Sequence, residues 1–192
     1  MGCGKRSITS ERWLIDVPLS EHDDLKRIVR DVPDFPQPGI TFRDITPLLA
    51  DRKHFHEVID LMSVAWYGSG ATLVAAIEAR GFIPGAAIAL RLNAGFIPIR
   101  KAGKLPWRVL SHSYQLEYGT DQLDVHQDAI TPKDKVLIVD DVLATGGTAA
   151  AAVALVRKLG GQVIGVQVLI ELSALGGRKR LEGIEVKSEL VY

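Results

Sequence analysis

The chain has 192 residues, a length that suits one compact domain and leaves little room for two. Its apolar fraction of 47% supports a full core and excludes wholesale disorder. Lys+Arg and Asp+Glu are both 23, so the net charge is zero and the basic excess of a protein that grips a nucleic-acid backbone is missing.

The only cysteine, Cys3, rules out an intrachain disulfide and fits a reducing compartment such as the cytoplasm. No apolar run approaches the roughly 20 residues of a membrane span. No apolar stretch follows Lys5 and Arg6 to make a secretory signal. Met1-Gly2-Cys3 is similar to acylated N-termini, but Arg6 stands where that pattern expects Ser or Thr. Residues 1–20 carry no assigned element.

Ser20 is a plausible N-cap for a helix carrying Leu25, Ile28 and Val29, expected to end near Val32-Pro33. The prolines and glycine of Asp34–Gly39 forbid a continuing helix, and Ile40-Thr41-Phe42 reads as a short extended segment. Asp51 can cap a helix that turns Phe55, Val58, Ile59 and Met62 to the core. A strand is then predicted over Thr72–Ile77, a helix over Gly81–Leu92, and a strand over Gly95–Arg100. Residues 101–108 make a basic loop. Ser111–Ile130 is polar and weakly alternating, which suits a hairpin or mobile flap. Val136–Val139 is a buried strand, Thr148–Leu159 an Ala-rich helix ended by Gly160-Gly161, and Val163–Leu172 and Ile184–Val191 are further strands. Apolar strands alternating with helices imply an α/β fold with a mainly parallel sheet covered on both faces. Ligands in such sheets lie beyond the carboxyl ends of the strands.

The densest signal is Val136-Leu137-Ile138-Val139-Asp140-Asp141-Val142-Leu143-Ala144-Thr145-Gly146-Gly147-Thr148. A buried strand leads into two carboxylates, a turn of small residues and a helix. Gly146 and Gly147 let backbone N–H groups approach a ligand, and the helix N-terminus adds partial positive charge. Thr145 and Thr148 supply hydroxyls. Such a cup suits a phosphate monoester, and Asp140 and Asp141 at its rim can accept from a vicinal diol. The combination describes ribose 5-phosphate. The Gly-x-x-x-x-Gly-Lys-Ser/Thr run of a P-loop and the Gly-x-Gly-x-x-Gly of a dinucleotide fold are both absent. The segment resembles the phosphoribosyl pyrophosphate signature of type I phosphoribosyltransferases. That resemblance implies ribose contacts from Asp140 and Asp141, and 5-phosphate contacts from Ala144, Thr145, Gly146, Gly147 and Thr148.

A second strand runs into Glu78-Ala79-Arg80-Gly81, and a third is followed by Arg100, Lys101 and Lys104. Single charges there would more often be solvated surface groups. Basic groups at adjacent strand ends suit a polyanion, and Arg80 offers a planar fork for phosphate oxygens. Glu78–Phe82 and Ile99–Pro106 resemble segments of adenine phosphoribosyltransferases. The resemblance implies pyrophosphate contacts from Arg80 and Lys101, with Lys104 next, and a catalytic part for Arg80.

Phe35–Thr46 could present a strand backbone to a base, with Phe42 against its ring. The residues alone favour a core-anchoring loop with Phe42 buried. The stretch nevertheless looks like the adenine-binding hood of the same family. The resemblance implies base reading by backbone groups of Thr41 and Arg43 and stacking by Phe42. Ser113–Gly119 resembles the family's mobile catalytic loop, which implies a catalytic role for Glu117 and a flap role for Tyr118. Without the motif, Glu117 reads as an ordinary exposed acid.

The resemblance covers about Val32 to Tyr192. It implies one domain over 1–192, with a hood at 21–50 and a flap at 111–128. It also implies adenine and phosphoribosyl pyrophosphate as substrates, and a homodimer. His22, His54, His56, His112 and His126 show no metal spacing supported by cysteine or clustered acids, so any metal is expected to be Mg²⁺ carried by the substrate's phosphates. One rival is a transferase for an oxopurine. Another is a non-catalytic sugar-phosphate sensor, which would need a DNA-binding element that residues 1–33 do not show. No nucleic-acid or membrane partner is expected.

Overall fold

The structure, a computed structural model, describes residues 21–115 and 119–192. Helix α1 spans Glu21–Ile28 and buries Leu25. The expected cap, Ser20, lies outside the described residues. The helix stops short of Val32. Arg30–Val32 instead form strand β1, antiparallel to β2 at Phe42–Asp44, with Val32 opposite Phe42 and Arg30 opposite Asp44. Pro33 disfavours helical backbone at the residue before it, which leaves Val32 free to pair. The extended segment expected at 40–42 therefore lies two residues later. Ion pairs Arg43–Asp31 and Arg30–Asp44 lace this ribbon together.

A short helix, α2, follows at Thr46–Ala50, with Pro47 in its first turn, where a missing N–H costs nothing. Asp44 Oδ1 accepts from the Thr46 N–H at 2.9 Å. Helix α3, Arg52–Val64, begins as predicted: the Asp51 carboxylate accepts from the His54 N–H at 2.9 Å. It buries Val58, Ile59 and Met62, with Phe55 half-buried.

Among the described residues the main sheet has seven strands in the order β5-β6-β4-β3-β7-β8-β9. The strands are β3 (Leu73–Ile77), β4 (Gly95–Lys101), β5 (Val109–Gln115), β6 (Thr120–His126), β7 (Lys135–Leu143), β8 (Gln162–Glu171) and β9 (Val186–Val191). The pairs linking β4, β3, β7, β8 and β9 are parallel, while β6 runs antiparallel to both β4 and β5. Helix α4, Phe82–Arg91, connects β3 to β4, and α5, Gly147–Lys158, connects β7 to β8.

Alternation along β7 divides the core between the two faces of the sheet. Val136 and Ile138 join Ala152, Leu155 and Val156 of α5, whereas Leu137 and Val139 join Leu48, Val58, Met62 and Ile88 on the other face. All four β7 residues are fully buried, and each such side chain contributes about 1.5–3 kcal/mol. The uninterrupted apolar run is thus that of a central strand covered on both sides.

Candidate active site at the strand ends

β7 continues past Val139 and carries Asp140 and Asp141 inside the strand, with Asp140 opposite Val168 of β8. Both carboxylates are buried. The Asp141 N–H donates to Asp140 Oδ1 at 2.8 Å. Burial, and then the adjacent Asp141 charge, push the Asp140 carboxyl well above the usual carboxylate range.

The turn from β7 to α5 is shaped from behind. Gly146 has φ +80°, and a Cβ there would collide with the Gly177 backbone in a 3-10 turn, Gly177–Leu181. A Cβ on Gly147 would touch the Gln115 carbonyl and the Tyr114 ring, both at 3.4 Å. The approach at Gly146 leaves room only for glycine, whereas a Cβ on Gly147 would sit in ordinary contact with its neighbours. The leading N–H groups of α5 have no acceptor within the helix. Ala144 and Thr145 are half-buried beside this turn, and the Thr148 hydroxyl donates to the Tyr114 oxygen at 3.2 Å. The 3-10 turn also brings Arg180 to the same place: its Nη1 lies 3.5 Å from where a Gly147 Cβ would sit.

β3 lies beside β7 and ends at the same edge of the sheet. The turn after it rests on the carboxylate pair. A Cβ on Gly81 would stand 2.8 Å from Asp140 Oδ1, and Arg80 Nε donates to Asp141 Oδ2 at 2.7 Å. The Phe42 ring lies under the Arg80 guanidinium, 4.6 Å from centroid to Cζ, and meets Phe35 edge-to-face at 5.3 Å. Thr41 is exposed just before β2. Arg43 turns its side chain to Asp31 and to the Tyr192 ring.

The remaining cations rest on acids that the sequence pattern did not single out as their partners. Glu78, 4% exposed, accepts from Arg100 Nε at 2.7 Å and Lys104 Nζ at 2.6 Å. Burial alone would raise its pKa, but the two cations outweigh that and hold it below the ordinary glutamate value. Lys101 Nζ lies 3.2 Å from Asp121 Oδ2, a hydrogen bond that raises the lysine. The Tyr114 hydroxyl donates to the same carboxylate at 3.3 Å, and burial raises the phenol. Contacts therefore run from Lys101 through Asp121 and Tyr114 to Thr148.

Phe42, Arg80, Asp140, Asp141, Thr148 and Lys101 thus belong to one connected region. Glu117 and Tyr118 lie outside the described residues. Tyr114, Asp121 and Arg180 were missed from sequence. Tyr114 and Asp121 are register partners in the β5–β6 hairpin, and the position of Gly119 alone does not give that register.

Among the described residues no group of three or more His, Cys, Asp or Glu side chains stands together to hold a metal ion. Asp140 and Asp141 do supply hard oxygen donors of the kind magnesium accepts beside phosphate oxygens. Among the described residues no helix is long and apolar enough to cross a membrane. A cavity of about 290 Å³ lined by Trp66, Ser69 and Asn93 lies toward the amino end of β3, away from these turns.

Residues 50–190 match the phosphoribosyl transferase domain family. An adenine phosphoribosyltransferase of Thermotoga sp. (strain RQ2) is 59% identical over 169 residues, covering 88% of this chain and 99% of that protein. The enzyme of that name from Symbiobacterium thermophilum is 58% identical over 86% of this chain and 97% of its own. Among solved structures, the adenine phosphoribosyltransferase of Thermoanaerobacter pseudethanolicus superposes with a TM-score of 0.87 at 48% identity, covering 89% of this chain and 99% of its own. The Saccharomyces cerevisiae enzyme, complexed with an imino-altritol bisphosphate and adenine, superposes with a TM-score of 0.85 at 36% identity over 89% and 99% of the two chains. The chain belongs to the adenine phosphoribosyltransferase family.

Proposed function

We propose that this protein joins adenine to the ribose 5-phosphate of phosphoribosyl pyrophosphate, forming AMP and releasing pyrophosphate. One observation carries the reading. Arg80 stands between Asp141 and Phe42, so the phosphate-cup strand, the basic turn and the hood ribbon meet at a single guanidinium.

The 5-phosphate takes the N–H groups and hydroxyls of Ala144–Thr148, with Arg180 adding charge. The ribose hydroxyls donate to Asp140 and Asp141. Arg80, Lys101 and Lys104 take the pyrophosphate. Each of these cations must then exchange a carboxylate for phosphate oxygens. Adenine lies against Phe42, with its amino donor and ring acceptor met by the backbone of Thr41 and Arg43. As the bond from C1 to pyrophosphate breaks, positive charge builds on the ribose ring and negative charge on the leaving group. Fixed cations that meet the leaving charge lower the barrier without reorganisation. The β5–β6 hairpin serves as a flap that excludes water from C1, with Tyr118 in it and Glu117 exchanging the base proton. Bound Mg²⁺ would neutralise charge on the pyrophosphate. The protein acts in the cytoplasm as a homodimer, a state supported by the exposed apolar Ile83 and Leu90 of α4 and Phe96 of β4.

The test is AMP formation from purified protein, phosphoribosyl pyrophosphate and Mg²⁺, with adenine, hypoxanthine and guanine offered in parallel. Product with adenine alone is expected. Product with hypoxanthine instead would assign an oxopurine, whose pairing edge has the opposite hydrogen-bond polarity. In the same assay Glu117→Ala should lower turnover with little change in substrate binding. Unchanged turnover removes Glu117 from the mechanism.

A further inference from the structure

We propose that Tyr192 is a positioning residue for the base-holding strand β2. The proposal rests on the reading that the Phe42 segment holds adenine.

Tyr192 directly follows β9, and its backbone is fastened to the end of β8. Its N–H donates to the Glu171 carbonyl at 2.9 Å, and its carbonyl accepts from Ser173 N and Oγ at 2.9 and 2.7 Å. The backbone that carries the ring is therefore fastened to the main sheet. Arg43 Cζ stands 4.1 Å from the ring centroid, and Lys26 Nζ of α1 stands 5.5 Å from it. An aromatic face attracts both cations electrostatically, and more strongly where water is excluded. The Tyr192 hydroxyl and Arg43 Nε are both buried without a hydrogen-bond partner among the described residues. The contact thus depends on the π face and not on the phenol oxygen.

Strand geometry links this contact to the base. Successive side chains on a strand point to opposite faces. With Arg43 held against Tyr192 on one face of β2, Phe42 must turn to the other, where it meets Arg80. A one-residue slip would reverse both. The ion pairs Arg43–Asp31 and Arg30–Asp44 cannot supply this anchorage, because both partners in each belong to the same two-stranded ribbon. Tyr192 ties Arg43 to the main sheet.

Steady-state kinetics of the full chain varying each substrate, with Tyr192→Phe, Tyr192→Met, Tyr192→Leu and Phe42→Ala, test the proposal. Tyr192→Met and Tyr192→Leu are expected to raise KM for adenine about three- to tenfold, as loss of one partly exposed cation–π contact allows. Turnover and KM for phosphoribosyl pyrophosphate should stay as in the parent. Tyr192→Phe should match the parent throughout, because the lost hydroxyl has no partner. Parent-like adenine KM in Tyr192→Met or Tyr192→Leu, while Phe42→Ala raises it, would overturn the positioning role and leave the base reading intact. Equal damage to both substrates' KM, or a defect in Tyr192→Phe as large as in Tyr192→Leu, would also overturn it. A parent-like adenine KM in Phe42→Ala sinks the base reading, and this inference with it.

Discussion

The end of β7 presents two buried carboxylates, and the turn after it presents backbone N–H groups and hydroxyls, shaped by the close approach of Gly146 to the Gly177 backbone. The turn after β3 and the end of β4 present side-chain cations, each resting on an acid: Arg80 on Asp141, Arg100 and Lys104 on Glu78, and Lys101 on Asp121. The first region owes its shape to covalent geometry and close approach. The second owes its shape to ion pairs that a polyanion can replace. Holding long basic side chains on nearby carboxylates reduces the rotamer entropy a ligand must otherwise remove, about 1.5–2 kcal/mol for a fully ordered Lys or Arg. In exchange, the ligand has to compete with those carboxylates.

The largest effect is expected where β7 would lose its two carboxylates, the proposed diol acceptors. The double variant Asp140→Asn/Asp141→Asn should weaken phosphoribosyl pyrophosphate binding by about 100-fold or more, from the loss of charged hydrogen bonds. Calorimetric titration measures this, and parent-like affinity would refute the diol assignment. The single variant Asp140→Asn should melt at a higher temperature than the parent at neutral pH. The raised Asp140 pKa means that folding costs free energy once pH exceeds the unfolded value near 3.8, and the cost is complete above the folded value. The gain in melting temperature should therefore vanish as pH falls toward 3.8.

In the ion-paired region, Arg80→Lys keeps the charge and loses the fork, so kcat/KM should fall about tenfold. A parent-like value would show that Arg80 acts only as a point charge. Glu78→Gln releases Arg100 and Lys104. Because both partners are partly exposed, the expected destabilisation is only about 1 kcal/mol, read by denaturant melts at pH 7. The lowered Glu78 pKa fixes the sign. Its contribution is present above the unfolded value of about 4.5 and is lost as pH falls through the folded value, so parent and variant should converge in acid. Tyr114→Phe should have the smallest effect. It removes contacts to Thr148 and Asp121 and should raise KM for phosphoribosyl pyrophosphate about twofold, within the range of one neutral hydrogen bond.

The rigid region was also the legible one. Val136–Thr148 announces itself because a strand covered on both faces must be apolar throughout, and a tight turn against backbone must be glycine. The ribbon was harder to read. Arg30-Asp31-Val32 is polar and follows a helical pattern, and it becomes a strand only because Phe42–Asp44 stands opposite. The partners of the cations were hidden for a similar reason. Nothing local connects Lys101 with Asp121 or Arg100 with Glu78; sheet order brings them together. The resemblance marks Tyr192 only as the end of the matched segment, because its partner Arg43 lies far away in sequence.

The central place of β7 has a consequence in time as well as in space. It is flanked by β3 and β8, with Val136–Val139 wholly buried, so its amides can meet solvent only when the molecule opens as a whole. Among the described residues the β1–β2 ribbon has two strands, and its residues are half-buried or exposed, so local opening is enough to reach them. In heavy water the two regions should therefore run on separate clocks, with β7 exchanging far more slowly than the β1–β2 ribbon.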